Sequence, residues 1–580
     1  MESTPRIGVY ICHCGNNIAA TVDVEGVAEF ARDLPGVVVA RHYTYMCSEP
    51  GQALIKDDGR ELGLNRVVVA SCSPRMHELT FRAAAHEGGV NPYRTEMANI
   101  REQCSWVHHD RGEATEKAKA LIASAVAKAA WLEPLEDREV DVTPGVVIIG
   151  GGVAGMVAAL DVADAGYPAY LVEKSDHLGG RAADLNRTFP ELEPAAEWLM
   201  PLIERVQTHS NVTLFLKAEV AEVEGYVGNF KVAVRSPGLE DLDLTEPADR
   251  PASDLRTLDV GAVIVATGYD VFDPRLKPEF GYGHYPQVIT TLEMERRLAE
   301  DDLEVGGDVP RDIAFIKCVG SRDAQLNRPY CSRVCCMVSA KQAQLVRQLL
   351  PDSRVTVFYM DVRTFGKRGE EFYDEARKAE VLYRRGNVSE IYRKNDRIAL
   401  RVEDTLLGQT LEHEVDLVVL AVGMEPRKGV GEIAALLKLP RSADGFFLEA
   451  HPKLRPVDTA MDGIFLAGCC QGPKDIPDTV AQAKAAASSA LIPLVRGTVP
   501  VESATAVVDP ELCAGCGMCV EVCPFDAPAL DPLWGVSRVN AVLCKGCGAC
   551  AATCPSKAIC LQHFTAEQIL AQVDALVEFL

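Results

Sequence analysis

Eight cysteines near the end of the chain repeat one spacing twice. Each run reads C-x2-C-x2-C-x3-C-P, and the two runs comprise Cys513, Cys516, Cys519 and Cys523, then Cys544, Cys547, Cys550 and Cys554. Four thiolates hold one 4Fe–4S cluster, and in paired runs of this kind the fourth cysteine ligates the cluster of the other run. We therefore assign Cys554 to the first cluster and Cys523 to the second. Zinc is the alternative for paired C-x2-C motifs, but the triplets, the prolines and the duplication favour iron–sulfur clusters.

A glycine-rich turn indicates a second cofactor. Gly150, Gly152 and Gly155 form G-x-G-x-x-G between the strand-like segment VVII and the helix-like segment MVAALDVADAG. Such glycines allow a tight turn and let a helix N-terminus approach a pyrophosphate. Glu173 ends the next apolar segment, where its carboxylate can accept from a ribose hydroxyl. FAD is the predicted cofactor, with NAD as its main alternative. Further candidate binding residues flank these motifs, namely Val153, Ala154, Lys174, Gly180 and Arg181.

Two later segments extend this site. The first, VIVATG, contains Ala266, Thr267 and Gly268, and the second, GIFLAGCC, contains Gly468 and Cys469 and is followed by Thr479. Together with the glycine turn, they resemble the two-dinucleotide-fold flavoproteins of the thioredoxin reductase type. That resemblance implies an α/β core in which the first fold binds FAD. In those flavoproteins an aspartate on the ribityl chain stands where this sequence has Cys469.

The second dinucleotide fold carries cysteines in place of a nucleotide motif. A thioredoxin reductase-like chain should have another G-x-G-x-x-G after its next strand, to bind NADPH. Here the strand DIAFIKC is followed by CVGSR, and four cysteines fall within nineteen residues, namely Cys318, Cys331, Cys335 and Cys336. Four thiolates suffice for one cluster. The alternative is that they are small buried hydrophobic residues. We predict a third cluster here.

The first hundred residues alternate between strand-like and helix-like segments and contain five more cysteines. Cys12 and Cys14 follow the first apolar segment, Cys47 the second, Cys72 the third and Cys104 a predicted fourth. The carboxyl ends of parallel strands meet at one edge of a sheet. We therefore expect these thiols to converge and to bind a fourth cluster with one thiol left over. The pattern does not say which four bind it, and a domain with inert cysteines is the alternative.

Several segments resemble the A subunit of heterodisulfide reductase and its bacterial relatives: VYICHCG, ASCSPRMHE, NIREQCSWVHH, CVGSR with YCSRVCCMVSAKQA, and AGCCQGPKDIPDTVAQAK. The resemblance covers nearly the whole chain. It implies an FAD-containing hub with several 4Fe–4S clusters, a homodimeric core and electron bifurcation at the flavin. It also implies that the cluster at Cys318, Cys331, Cys335 and Cys336 lies beside the flavin, and that Lys341 is the cation near the isoalloxazine and the candidate catalytic residue.

The implied partners are heterodisulfide reductase B- and C-like subunits, or another catalytic oxidoreductase, and an electron-input subunit linked to hydrogenase, formate or NADH. Unlike some methanogen members, the chain has no additional ferredoxin inserted in its flavoprotein region. It therefore either bifurcates electrons or only relays them. A self-sufficient NAD(P)H dehydrogenase, similar to the small subunit of glutamate synthase, is the alternative function. A second nucleotide fingerprint would distinguish it, and this chain lacks one.

Composition limits the remaining possibilities. The 580 residues carry a formal charge of −24, which argues against nucleic acid as a partner. There is no signal-peptide pattern and no apolar run long enough to span a membrane, so twenty cysteines favour metal binding in the cytoplasm. The predicted regions are an N-terminal α/β iron–sulfur domain (1–135), the first part of the FAD-binding fold (141–310), a degenerate NAD(P)H-type fold carrying a cluster (311–425), the return segment of the FAD-binding fold (426–498), a two-cluster ferredoxin domain (500–562) and a C-terminal helix (563–580).

Overall fold

The N-terminal region forms a parallel four-stranded sheet. The computed structural model describes residues 4–136, 138–236 and 255–579. In spatial order the strands are Val37–Tyr43, Ile7–Cys12, Arg66–Ser71 and Thr95–Asn99. The two central strands are buried along their whole length, as expected for continuous apolar runs in a parallel sheet. The accompanying helices are Val24–Arg32, Glu49–Leu62, Pro74–Glu87, the π-helix Arg101–Ser105 and Arg111–Ala130.

The C-terminal cysteine region joins this N-terminal domain in one compact unit, formed by Met1–Glu139 and Pro500–Leu580. Its two hairpins pair Ala506–Val508 with Ile559–Leu561 and Pro528–Leu530 with Ser537–Val539. Its helices are Met518–Val522, Ala549–Thr553 and Ala566–Val577. The last of these packs on Arg111–Ala130, and Gln568 Nε2 donates to the Trp131 carbonyl at 2.9 Å. The helix predicted over 563–580 therefore spans Ala566–Val577, and Leu580 lies outside the described residues.

The second unit, Val140–Val499, contains two α/β folds. The first has a parallel five-stranded sheet in the order Ile464–Leu466, Ala262–Val265, Val146–Ile149, Ala169–Val172 and Val212–Phe215. An antiparallel sheet of Glu219–Tyr226, Asn229–Arg235 and Leu255–Val260 accompanies it. Apolar side chains of Val153–Asp164 and Ile476–Arg496 fill the core on one side of the parallel sheet. The other helices of this fold are Ala195–Thr208 and Val430–Leu436.

The second fold of this unit has a seven-stranded sheet. Its order is Val288–Thr290, Leu417–Val422, Asp312–Val319, Arg354–Tyr359, Leu382–Lys394, Arg397–Asp404 and Gln409–Val415. Its helices are Thr291–Ala299, Cys335–Leu349 and Gly369–Lys378. The sheet begins at Val288, earlier than the predicted boundary at residue 311, because a three-residue strand gives little periodicity to recognise. The remaining strands are Arg138–Asp141, Tyr269–Val271, Met424–Pro426 and Thr498–Val501. Within the described ranges, no helix is both long and apolar enough to cross a membrane.

Candidate functional site

A cavity of about 650 Å³ opens at the glycine turn of the first fold. Its size is that of a typical cofactor or ligand site. Twelve of the residues predicted to bind the cofactor line it, namely Gly150, Gly152, Val153, Ala154, Glu173, Gly180, Arg181, Ala266, Thr267, Gly268, Cys469 and Thr479. These residues come from six separate segments of the chain, and the parallel sheet brings the segments together.

The glycines of the turn have different tasks. A Cβ on Gly155 would lie 1.8 Å from the Gly150 carbonyl oxygen, so Gly155 permits close packing of the helix and does not line the cavity. A Cβ on Gly152 would meet only the Gly180 Cα, at 4.0 Å, and would project into open space. The space beside Gly152 and the start of helix Val153–Asp164 therefore fit a pyrophosphate, which needs close approach to backbone N–H groups.

Glu173 is held as an acceptor at the edge of this cradle. Its carboxylate accepts from the Gly151 N–H at 2.6 Å and from the Ser175 N–H and hydroxyl, both at 2.7 Å. Burial alone would raise the pKa of Glu173. These hydrogen bonds lower it by more, so the pKa lies below its usual value. The side chain is thus an ionised acceptor beside the turn, as binding of a ribose hydroxyl requires.

Three predicted binding residues do not line the cavity. Lys174 is wrongly predicted, since its side chain is 77% exposed and reaches Glu219 at 3.7 Å. Gly155 lies within the helix packing described above. Gly468 is buried behind the wall, because a Cβ there would lie 2.8 Å from the Ala154 Cβ. The two glycines therefore shape the wall of the cavity without facing it.

Lys341 does line the cavity, but it is not an isolated cation. Its Nζ lies 2.6 Å from Glu295 Oε1 and donates to the Arg187 carbonyl, also at 2.6 Å. Both charged side chains are 1% exposed. Burial lowers the pKa of Lys341, and Glu295 offsets part of that effect. At this point the wall of the cavity therefore presents the Lys341–Glu295 ion pair, whose two charges balance.

Part of the cavity wall comes from residues that sequence reasoning did not single out. Val338 lies three residues before Lys341 on the same face of helix Cys335–Leu349. Tyr269 and Met424 come from the short paired strands of this unit, and Lys474 comes from the loop before helix Ile476–Arg496. The single sequence signal was the three-residue spacing of Val338 and Lys341, because the other positions lie in loops or strand ends.

The second fold gathers four cysteines, Cys318, Cys331, Cys335 and Cys336, which we call the central cysteine group. Burial, together with the neighbouring Cys336 and Cys331 thiols, raises the pKa of Cys318 to about 11. Burial also raises the pKa of Cys335, and the other three thiols act in the same direction. The four thiols thus lie near enough to influence one another's ionisation. Lys317, which is 6% exposed, places its Nζ 3.4 Å from Cys336 Sγ.

The N-terminal sheet brings together Cys12, Cys14, Cys47 and Cys72, which we call the N-terminal cysteine group. Burial raises the pKa of Cys12, with Cys14 and Cys47 adding to it, and raises that of Cys72 to about 11, with a contribution from Cys12. Arg101 donates to Cys14 Sγ at 3.3 Å.

Cys104 lies apart from this group. Its thiol donates to the Ala114 carbonyl at 3.0 Å in the domain core, because the π-helix Arg101–Ser105 turns it inward. Cys104 does follow a fourth strand, Thr95–Asn99, as predicted, but the expectation that its thiol converges with the other four is wrong.

The C-terminal cysteines line two small cavities. One is bordered by Cys513, Cys516, Cys519 and Cys554, and the other by Cys523, Cys544, Cys547 and Cys550. Each set thus takes its fourth cysteine from the other run, as the spacing predicts. Across the described parts of the chain, no three His, Cys, Asp or Glu side chains are arranged for a single metal ion. Ligands of a four-iron cluster lie farther apart than ligands of one ion, because each thiolate binds a different iron.

Comparison with known families defines the class of protein. Residues 144–490 match the pyridine nucleotide-disulphide oxidoreductase family, and residues 505–555 match the 4Fe-4S dicluster domain. The predicted α/β fold class is confirmed, and so is the preference for iron–sulfur clusters over zinc at the C-terminus. The class is a flavoprotein oxidoreductase joined to a two-cluster ferredoxin-type domain.

Curated relatives match over the full length. The A subunit of the H(2):CoB-CoM heterodisulfide,ferredoxin reductase of Methanothermobacter thermautotrophicus is 46% identical over 98% of this chain and 97% of its own length. The iron-sulfur A subunit of the CoB--CoM heterodisulfide reductase of Methanocaldococcus jannaschii is 44% identical over 99% of both chains. The A subunit of the H(2)/formate:CoB-CoM heterodisulfide,ferredoxin reductase of Methanococcus maripaludis is 41% identical over 99% of both. The chain belongs to the family of heterodisulfide reductase A subunits, and it is a flavin- and iron–sulfur-containing oxidoreductase subunit.

Proposed function

We propose that this chain is the FAD- and 4Fe–4S-containing electron-transfer subunit of a heterodisulfide reductase-like complex, and that it bifurcates electrons between partner subunits. The observation that carries the proposal is the course of helix Cys335–Leu349. Cys335 and Cys336 begin this helix, whereas Val338 and Lys341 line the cavity of the first fold. Three helical residues span about 4.5 Å along the axis. A cluster on the central cysteine group would therefore lie within one helical turn of the flavin cavity.

The residues of the cavity support specific tasks toward FAD. Gly152 and the start of helix Val153–Asp164 would hold the pyrophosphate, and Glu173 would accept from the ribose. Cys469 and Thr479 would face the ribityl chain, and Lys341 would contact the ring. FAD supplies the ability to exchange electrons singly or in pairs, which lets a two-electron donor communicate with one-electron clusters.

We assign four clusters to the chain. The C-terminal cavities support two of them, the central cysteine group a third, and Cys12, Cys14, Cys47 and Cys72 a fourth. Cys104 is the thiol that remains. Arg101 at Cys14 Sγ and Lys317 at Cys336 Sγ provide positive charge next to two of these sites, which favours bound thiolates.

The partners follow from the same assignment. The names of the relatives mention H(2), formate, a CoB-CoM heterodisulfide and ferredoxin. By analogy, we propose that this chain, as a homodimeric core, joins B- and C-like subunits, or another catalytic oxidoreductase, to an electron-input subunit. The donor and acceptor are bound by those partners, because the second fold of this chain carries cysteines where a nucleotide loop would lie.

The test is anaerobic stopped-flow reduction of the purified holoprotein. NADH and NADPH should leave the flavin absorbance unchanged on a catalytic timescale. When the protein is instead reduced stepwise by a chemical reductant, electrons should equilibrate between the flavin and the clusters. Cys335→Ala removes one thiolate of the central cysteine group, so that variant should lose flavin–cluster exchange while keeping its flavin. Rapid flavin reduction by either nucleotide in the unaltered chain would instead favour a self-sufficient NAD(P)H dehydrogenase.

Gly152→Val provides the control for the flavin signal. The added side chain meets no protein atom closer than 4.0 Å at its Cβ but fills the pyrophosphate cradle, so the variant should fold without flavin. Gly431→Ala, at an exposed helix position where the nearest atom is 3.9 Å away, should keep normal flavin content. Full flavin occupancy in Gly152→Val would show that the cofactor binds elsewhere.

A further inference from the structure

Two lysines line the flavin cavity, and their surroundings differ. Lys341 is paired with the buried carboxylate of Glu295, as described above. Lys474 donates to Gln471 Oε1 at 2.5 Å and to the Gly472 carbonyl at 3.1 Å, and both acceptors are neutral. Among the residues that the structure describes, no carboxylate lies within ion-pair distance of Lys474. The cavity therefore meets one lysine in a direct ion pair and one held by neutral acceptors, on which the Glu449 carboxylate acts only from beyond ion-pair distance.

A chain of amide hydrogen bonds holds Lys474 in place. The Gln471 side-chain NH₂ donates to Glu449 at 2.8 Å, and the Gln482 NH₂ donates to Gln471 Oε1 at 3.4 Å. Gln482 Oε1 in turn accepts from the Gly468 N–H at 2.8 Å, which anchors the chain to the backbone beside Cys469. A cation fixed in this way does not have to reorganise when charge develops next to it.

The same wall contains the start of the long helix Ile476–Arg496. Asp475 caps this helix by accepting from the Asp478 N–H at 2.9 Å, and Asp475, Ile476 and Pro477 line the cavity next to Lys474. Helix dipoles place partial positive charge at a helix N-terminus. Burial lowers the pKa of Lys474, and Arg333 acts in the same direction, whereas the neighbouring Cys469 and Cys470 thiols and the Glu449 carboxylate raise it. An anion in the cavity would act in the same direction as those thiols and would favour the ammonium form.

The glycine turn and Glu173 account for the pyrophosphate and the adenosine ribose, which leaves the wall formed by Lys474, Val338 and Met424 for the isoalloxazine. We propose that Lys474, whose ammonium is paired with no carboxylate of the described residues, supplies positive charge to the bound flavin and so stabilises its anionic reduced form. This inference depends on the proposed FAD function. Uptake of two electrons and one proton leaves one negative charge on the ring, and Lys474 is positioned to compensate it. The charge-balanced Lys341 contributes less to this effect.

The experiment is a spectroelectrochemical titration of the flavin in the holoprotein and in three variants. Lys474→Met removes the charge at similar side-chain length, and Lys474→Arg retains it. Lys484→Met removes a lysine of helix Ile476–Arg496, which follows Lys474. Lys484 pairs with Asp161 at 2.8 Å and does not line the cavity. In Lys474→Met we expect reduced flavin to be disfavoured about tenfold, which corresponds to about 30 mV for a two-electron couple. The other two variants should stay within about twofold, or about 9 mV, of the unaltered protein.

Each outcome decides the inference. An unchanged potential in Lys474→Met with full flavin content would overturn it and leave the FAD function intact. Loss of flavin from Lys474→Met but not from Lys484→Met would also overturn it, because the lysine would then serve binding of either redox form. Absence of flavin from the unaltered protein after anaerobic purification would contradict the proposed function itself. A shift of equal size in Lys484→Met would show that general charge, not Lys474, sets the potential.

Discussion

The C-terminal cysteine region and the central cysteine group differ in where their ligands come from. The C-terminal region draws all eight from two short runs, and two of its cysteines, Cys516 and Cys547, are exposed. The central cysteine group takes Cys318 from a strand end, Cys331 from a loop, and Cys335 and Cys336 from a helix start, and the last two are buried. Local spacing therefore determines the two C-terminal sites, whereas the site of the central cysteine group forms only once the sheet and the helix have packed together.

The two regions also differ in what touches sulfur. In the C-terminal region the sulfur atoms accept from neutral backbone groups, such as the Ser537 N–H to Cys513 Sγ at 3.3 Å and the Ala506 N–H to Cys544 Sγ at 3.4 Å. In the central cysteine group the buried ammonium of Lys317 contacts Cys336 Sγ. Net charge and hydrogen bonds to sulfur set cluster potentials. The Lys317 ammonium should therefore raise the potential of a cluster on the central cysteine group relative to the same site without that charge.

The largest expected effect is a loss of iron from the N-terminal cysteine group, which, like the central cysteine group, forms only when the strands pack together. Cys72→Ala removes one thiolate from the N-terminal cysteine group, so the iron content should fall from about sixteen to about twelve per chain. Cys104→Ala is the matched control, because its thiol bonds to the Ala114 carbonyl in the core, and it should keep all of its iron. Anaerobic iron and sulfide analysis measures both variants. Equal iron in Cys72→Ala and the unaltered protein would mean that the N-terminal thiols are inert.

A smaller effect tests the charge difference between the regions. Lys317 lies over the rings of Tyr359 and Tyr383, 5.2 and 5.9 Å from their centroids, and no carboxylate of the described residues is within ion-pair distance of it. Lys317→Met should lower the midpoint potential of the central cluster by about 60 mV, which corresponds to a change of about tenfold in the equilibrium constant for its one-electron reduction. Redox titration followed by electron paramagnetic resonance measures this shift.

Lys317→Arg serves as the control that retains charge, and its potential should stay close to that of the unaltered protein. The signals of the C-terminal clusters should not move in either variant. If Lys317→Met left the central potential in place, or moved every cluster equally, the contact at Cys336 Sγ would not account for the difference between the regions.

The smallest effect lies within the C-terminal region. Ser537 Oγ is 3.2 Å from Cys519 Sγ, and the residue is 3% exposed. Ser537→Ala removes this neutral contact but keeps the backbone N–H that donates to Cys513. The potential of that cluster should fall by about 20 mV, which corresponds to roughly 0.5 kcal/mol, the lower end for a neutral hydrogen bond. A shift as large as that of Lys317→Met would remove the distinction between charged and neutral contacts.

Some site residues are predictable from the sequence and others are not, and each difference has a physical reason. The crossed pairing of Cys523 and Cys554 is predictable from the repeated motif, because in two-cluster ferredoxins the fourth cysteine of each run ligates the other cluster. Lys174 was predicted at the cavity because it follows Glu173, but side chains alternate across a strand end, and it points to solvent. Cys104 was misplaced because a π-helix has no recognisable sequence pattern. Lys474 was missed because only the folded loop brings it to the cavity.

The compact unit formed by Met1–Glu139 and Pro500–Leu580 has a consequence for biosynthesis. The ribosome makes helix Arg111–Ala130 long before Ala566–Val577, the helix that packs on it. About 360 residues separate the two parts of this unit, and at typical elongation rates their synthesis takes roughly 20–70 s. Throughout that interval the nascent N-terminal domain exposes the surface meant for Gln568 and Phe564. Val140–Val499 is continuous in sequence and can complete its packing first, so the earliest-made segment of the protein is among the last to be finished.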